Sequence, residues 1–258
     1  MLMDFGIEKF DPGETREFFS GMDEQCWLLT GGSAKLFWGD INRPITNENS
    51  IPQKMHEAEI SRPDLFDHCP FCLSVPAKSY VKITAGTEGA EFCLTATENP
   101  VRFDAKLFSP EECSSEMRGE GTMRETSTRV VRTVFDDSNR PESNLVIGEV
   151  IGIPGKWSSY PPHHHPQPEI YHYRFLPANG FGLTVIGETP YLLKDKDTIL
   201  IREKEVHPQV TAPGYAMWYL WVIRHLEGNR YGEKTGTPIF IDEHKWVSGD
   251  EKNIWQPK

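Results

Sequence analysis

No stretch of this chain carries a sustained apolar period of 3.6. Short apolar or alternating runs recur instead, with Gly, Pro, Asn and Asp between them. Residues 79–84, 91–96, 145–153, 182–186, 198–202 and 216–223 are the clearest. That spacing marks a β-sandwich or barrel, because each strand spans a few residues before a turn reverses it. The 21 Gly and 20 Pro supply the turns. The expected class is all-β, with helix below about a fifth of residues. One short helix is predicted at Ser109-Pro110-Glu111-Glu112, which reads as N-cap, proline at N1 and acidic first turn.

A length of 258 residues leaves room for two domains. The most linker-like stretch is 136–144, polar and rich in turn formers, which predicts units of 1–137 and 138–258. Against 27 basic residues stand 38 acidic ones, a net charge of −11. Nucleic acid and anionic membranes are poor partners for such a chain, since both reward a basic footprint. The first residues show no basic region followed by an apolar one, and the longest apolar stretch, 215–223, is too short to span a bilayer. Five scattered cysteines, Cys26, Cys69, Cys72, Cys93 and Cys113, make a poor disulfide framework and fit a reducing, cytoplasmic setting.

Chemistry concentrates between Gly155 and Tyr173. In a strand, alternate residues share a face, so His163 and His165 point one way and His164 the other. Pro166-Gln167-Pro168 can turn the chain so that Glu169 meets that pair, and His207 follows the strand-like 198–202. Three imidazoles and one carboxylate suit one divalent ion such as Zn, Mn or Fe, with positions left open for water or substrate. His172 falls on the opposite parity to Tyr171 and Tyr173 and is expected to face the other side of its sheet. His56, His68 and His225 have no such partners in the sequence and read as surface or core residues. Cys69-Pro70-Phe71-Cys72 has no second CxxC and reads as structural.

The pattern Gly155…His163-x-His165-x-x-x-Glu169…His207 resembles the two conserved stretches of the cupin superfamily. More narrowly, the chain resembles the 5-deoxy-glucuronate isomerases of inositol catabolism, the IolB family. In the first half the likeness rests on Arg62-Pro63-Asp64-Leu65-Phe66-Asp67 and Arg118-Gly119-Glu120-Gly121. In the second it rests on Trp157-Ser158-Ser159-Tyr160-Pro161-Pro162-His163, Glu169-Ile170-Tyr171, His207-Pro208 and Pro213-Gly214-Tyr215. The resemblance implies a bicupin, two β-barrel (jelly-roll) domains, the N-terminal one metal-free. It implies that His163, His165, Glu169 and His207 hold the metal of the C-terminal barrel. Trp221 and the longer segment 224–237 depart from the family pattern.

The implied reaction is a metal-dependent aldose–ketose isomerisation of a deoxy-uronic acid, 5-deoxy-glucuronate to 5-dehydro-2-deoxy-gluconate. The expected partner is therefore a small sugar acid, with self-association into a homo-oligomer left open. Tyr171 and Tyr173 share strand parity with Glu169 and are candidates to hydrogen-bond the sugar. Lys156 and Arg174 are candidates for the carboxylate, and no general base stands out. Three alternatives remain: a 4-deoxy-5-ketouronate isomerase of pectin breakdown, a cupin Fe dioxygenase, and a non-catalytic sugar-binding cupin.

Overall fold

Residues 1–41 and 54–258 are described by a computed structural model. Strands dominate, and the helices among the described residues are short 3-10 turns. The first seven strands are β1 (Asp4–Phe10), β2 (Thr15–Phe19), β3 (Asp23–Asp40), β4 (His56–Arg62), β5 (Cys72–Val75), β6 (Ser79–Glu98) and β7 (Lys106–Phe108). After them come β8 (Ser114–Arg118), β9 (Arg129–Phe135), β10 (Leu145–Gly152), β11 (Trp157–Ser158), β12 (His163–His164) and β13 (Glu169–Leu176). The last six are β14 (Phe181–Ile186), β15 (Thr189–Lys194), β16 (Thr198–Ile201), β17 (Gln209–Thr211), β18 (Ala216–Arg224) and β19 (Ile239–Phe240).

Two compact units emerge. One comprises Leu2–Cys113 with Arg140–Asn144 and contains a single antiparallel sheet, in which β1, β6, β3, β5 and β7 are successive neighbours, β2 joins β6 and β4 joins β3. The runs at 79–84 and 91–96 are two ends of one strand, β6, which pairs with β3 along almost its whole length. Register shifts between Leu29 and Gly31 and between Gly32 and Ala34 mark bulges where that ribbon can bend. Gly32 is required there, because its φ is +83° and a Cβ would lie 2.2 Å from the Gly89 carbonyl oxygen. Trp27, Leu29, Leu36, Val81, Ile83 and Phe92 form the centre of the core.

The other unit holds Ser114–Asn139 and Leu145–Lys258. Its six-stranded sheet runs β16-β13-β18-β10-β9-β8, and its four-stranded sheet runs β11-β17-β14-β15. Ile186 and Leu193 of the smaller sheet share a core with Val131, Val150, Tyr173, Ile201 and Met217 of the larger, so the two sheets face one another. Odd-numbered residues of β13 point into this space, as alternation requires.

Two expectations are corrected. The division falls at Cys113/Ser114 rather than 137/138, because β9 pairs with β10 and β8 with β9. The polar stretch 136–144 is also not a free linker. Arg140 donates to the Asp104 carbonyl at 2.7 Å and covers the Phe103 ring, and Ser143 Oγ and the Asn144 N–H both donate to buried Glu24. The helix at 109–112 is absent. The Ser109 and Pro110 carbonyls accept turn bonds from the Glu112 and Cys113 N–H groups, and the Ser109 N–H donates to the Glu112 carboxylate, after which pairing with β9 takes Ser114–Arg118 into a strand. Among the described residues no helix is long and apolar enough to cross a membrane.

Candidate metal centre

Short elements deliver the histidines. β12 carries His163 and is held by β19 through His163–Phe240 and His164–Ile239 pairing. Pro166 and Pro168 cannot donate to a ladder, so the chain leaves β12 and re-enters the large sheet at Glu169, the first residue of β13. His207 sits just before β17. His165, Glu169 and His207 are buried, at 2%, 3% and 1% exposure. One ligand atom from each lies within 4.8 Å of the others. His165 Nε2 is 3.0 Å and His207 Nε2 3.4 Å from the same carboxylate oxygen, Glu169 Oε2. Half-buried His163 lies outside that group of three, with its ring 5.0 Å from that of His207.

The second ring nitrogen decides what these atoms can do. His163 Nδ1 meets the Pro161 carbonyl at 3.1 Å, His165 Nδ1 that of Gln167 at 2.8 Å, and His207 Nδ1 that of Glu205 at 2.8 Å. A carbonyl only accepts, so each Nδ1 carries the proton and Nε2 is the nitrogen left to bind a metal. Burial, and then repulsion from His207, holds His163 well below the usual imidazole range. Burial lowers His207 too, against the opposing pull of Glu169. The Nε2 atoms of His165 and His207 therefore both turn to one carboxylate oxygen, and His207 Nε2 makes no hydrogen bond. Only a positive charge placed among the three relieves that arrangement, and imidazole with carboxylate is the donor chemistry of a divalent transition metal. The residues present thus fit a metal ion.

Around this centre stands a wall of phenols. Tyr171 Oη lies 3.3 Å from Ser159 Oγ, and Tyr173 donates to Gln209 Oε1 at 2.6 Å. Tyr219 donates to Ser158 Oγ at 3.1 Å, and Tyr231 stands edge-on to His165 with ring centres 5.0 Å apart. Burial, then the Glu169 charge, pushes the Tyr171 phenol well above its ordinary value; burial does the same for Tyr173 and raises Tyr219.

Tyr171 is thereby next to the candidate centre, its ring 5.8 Å from that of His207, while Tyr173 is committed to Gln209 deeper in the core. His172 faces the other way, as expected, with its ring beside Trp218 and Nδ1 2.9 Å from Thr198 Oγ1. The two expected carboxylate-binding cations are elsewhere. Lys156 is an outer residue 3.9 Å from Glu125, and Arg174 has the parity of His172 and pairs with Asp195 at 3.3 Å. Sequence reasoning missed Ser158, Ser159, Gln209, Tyr219 and Tyr231. Tyr219 was open to discovery by parity, since it lies directly across the ladder from Tyr173.

Comparison with known proteins identifies the family. The family model described as "KduI/IolB family" matches residues 1–247. A 5-deoxy-glucuronate isomerase of Geobacillus kaustophilus is 31% identical over 236 residues, covering 85% of this chain and 78% of that protein. The enzyme of the same name from Geobacillus thermodenitrificans is 30% identical over 240 residues, with the same shares. Among solved structures, an IolB-like protein from Salmonella typhimurium superposes with a TM-score of 0.79 at 23% identity, covering 95% of this chain and 89% of its own. An oxalate decarboxylase of Lactobacillus farciminis gives 0.62 at 12% identity, over 86% of this chain and 76% of its own, a likeness of fold alone.

Proposed function

The chain belongs to the KduI/IolB family, and on that premise we propose that it is a metal-dependent sugar isomerase converting 5-deoxy-glucuronate to 5-dehydro-2-deoxy-gluconate in inositol catabolism. The observation that carries the reading is the meeting of buried His165 Nε2, His207 Nε2 and Glu169 Oε2, with His207 Nε2 making no hydrogen bond. We take His163, whose Nε2 is likewise its free nitrogen, as the fourth ligand. Two β units, each with its own core, support a bicupin of two barrels, the C-terminal one holding the metal. A small sugar acid is the partner, and the five free thiols suit a cytoplasmic enzyme.

Isomerisation takes one proton from the hydroxyl-bearing carbon and returns one to the former aldehyde carbon, so composition is unchanged and no oxidant is needed. A divalent ion held by these residues would supply Lewis-acid stabilisation of the negative oxygen that develops between the two steps. The rest falls to the chain. Burial of the three converging residues keeps water away from the enediolate. Tyr171 stays protonated at neutral pH and therefore donates to a sugar oxygen rather than acting as a base. Ser159, in reach of Tyr171, fixes the direction of that phenol.

The test is to incubate metal-loaded protein with 5-deoxy-glucuronate and, separately, with 4-deoxy-5-ketouronate, following both by proton NMR and an oxygen electrode. The reading expects conversion of the first with no oxygen uptake. Turnover of the second alone moves the protein to pectin breakdown, oxygen uptake makes it a dioxygenase, and binding without turnover makes it a sugar-binding protein.

A further inference from the structure

Four buried arginines invite comparison among the described residues, and three have evident structural employment. Arg62 donates to the carbonyls of Leu29, Leu65 and His68. Arg132 faces Glu149 at 3.4 Å, and Arg140 holds the Asp104 carbonyl and the Phe103 ring. Arg129 differs. It is 7% exposed, and its one hydrogen bond runs from Nη1 to the Ser127 carbonyl two residues away, at 2.8 Å. No carboxylate among the described residues forms an ion pair with it.

Its position explains why that matters. Arg129 begins β9 and shares parity with Val131, a member of the inner core, so its side chain starts from the inner face of the sheet. Its charge acts on the phenols of Tyr219 and Tyr171 and on the His163 imidazole. A buried guanidinium with one backbone acceptor is costly unless an anion completes it. Its planar fork of donors matches a carboxylate in two-point fashion.

Resting on the isomerase reading above, we propose that Arg129 is the specificity-determining cation of the site, binding the carboxylate of the uronate while the sugar's carbonyl end lies toward His163, His165, Glu169 and His207. The role places the acid group and the reacting carbons at opposite ends of one pocket. It selects acids over neutral sugars of the same shape.

Calorimetry on zinc-loaded protein with D-glucuronate and its neutral amide, D-glucuronamide, tests the assignment. Wild type should prefer the uronate. In Arg129→Met that preference should shrink roughly 10- to 100-fold, the worth of a charged hydrogen-bonded pair, with amide affinity and zinc content held. Arg129→Lys should keep the charge and lose part of the preference, which gives a reading even if Arg129→Met does not fold. Unchanged preference in the variants, or equal weakening of both ligands, overturns the assignment alone. A wild type that binds the amide as tightly as the uronate overturns the uronate reading and the assignment with it.

Discussion

Acid should destabilise this protein through His225, and the size of the effect can be worked out. His225 is 1% exposed, and its Nδ1 accepts the Tyr231 backbone N–H at 2.9 Å. Protonation would set an N–H against an N–H and bury a charge beside Arg230. Burial first, then Arg230, therefore pushes its pKa down to about 4, from an ordinary 6.5. Because the folded value lies below the unfolded one, the unfolded chain binds the extra proton between these limits, and stability falls as pH drops from 6.5 to 4. Linkage between pH 7 and 4.5 gives a loss of about 2.5 kcal/mol from this group. His225→Asn keeps an acceptor in place of Nδ1 and removes the titration. Urea unfolding of metal-stripped wild type and variant at both pH values measures the difference, since the depressed His163 and His207 contribute equally to each protein. The wild type should lose about 2.5 kcal/mol more than the variant. Equal losses would refute the reasoning. The same hydrogen bond seats Tyr231 against His165, so the variant with the acceptor retained should keep its metal affinity at pH 7.

Other perturbations have equally definite outcomes. Glu169→Gln should lower metal affinity by tenfold or more, on the order of the losses seen on disturbing a metal's surroundings, and excess metal should restore part of the turnover. Normal affinity with no activity at any metal concentration would make Glu169 a base instead of a ligand. Tyr173→Phe removes the donor to buried Gln209 and should cost about 1–3 kcal/mol in thermal or urea unfolding. Gly148→Ala should cost about 1–3 kcal/mol or more, because its Cβ would lie 2.2 Å from the Trp221 ring and 2.4 Å from the Arg132 carbonyl oxygen. Neutral unfolding curves in either variant would contradict these contacts.

Strand parity was the most legible part of the chemistry. It placed His172 behind the sheet and Tyr171 in front of it, and proline stiffness correctly put Glu169 beside His165. What could not be read were relations made by topology. Arg129 sits on β9, which is joined to the site-bearing β13 only through β10 and β18, a relation no local window reveals, whereas Lys156 and Arg174 attracted attention through closeness in sequence. Residues 136–144 look like a linker by composition, yet polarity alone cannot distinguish solvated groups from groups bonded to a buried Glu24. The 109–112 signal was genuine as a turn and failed as a helix, since one turn of favourable caps does not outweigh a strand pairing that starts at Ser114.

The central claim is that the converging atoms of His165, Glu169 and His207 exist to hold the ion on which isomerisation depends. Its most direct test titrates chelator-stripped protein with a divalent metal while metal occupancy and conversion of 5-deoxy-glucuronate are measured in the same sample. Turnover should be absent without metal, rise in proportion to occupancy and level off at one ion per chain, and His207→Ala should show neither binding nor turnover over that range. Full turnover by the stripped protein, or by His207→Ala without bound metal, would contradict the account.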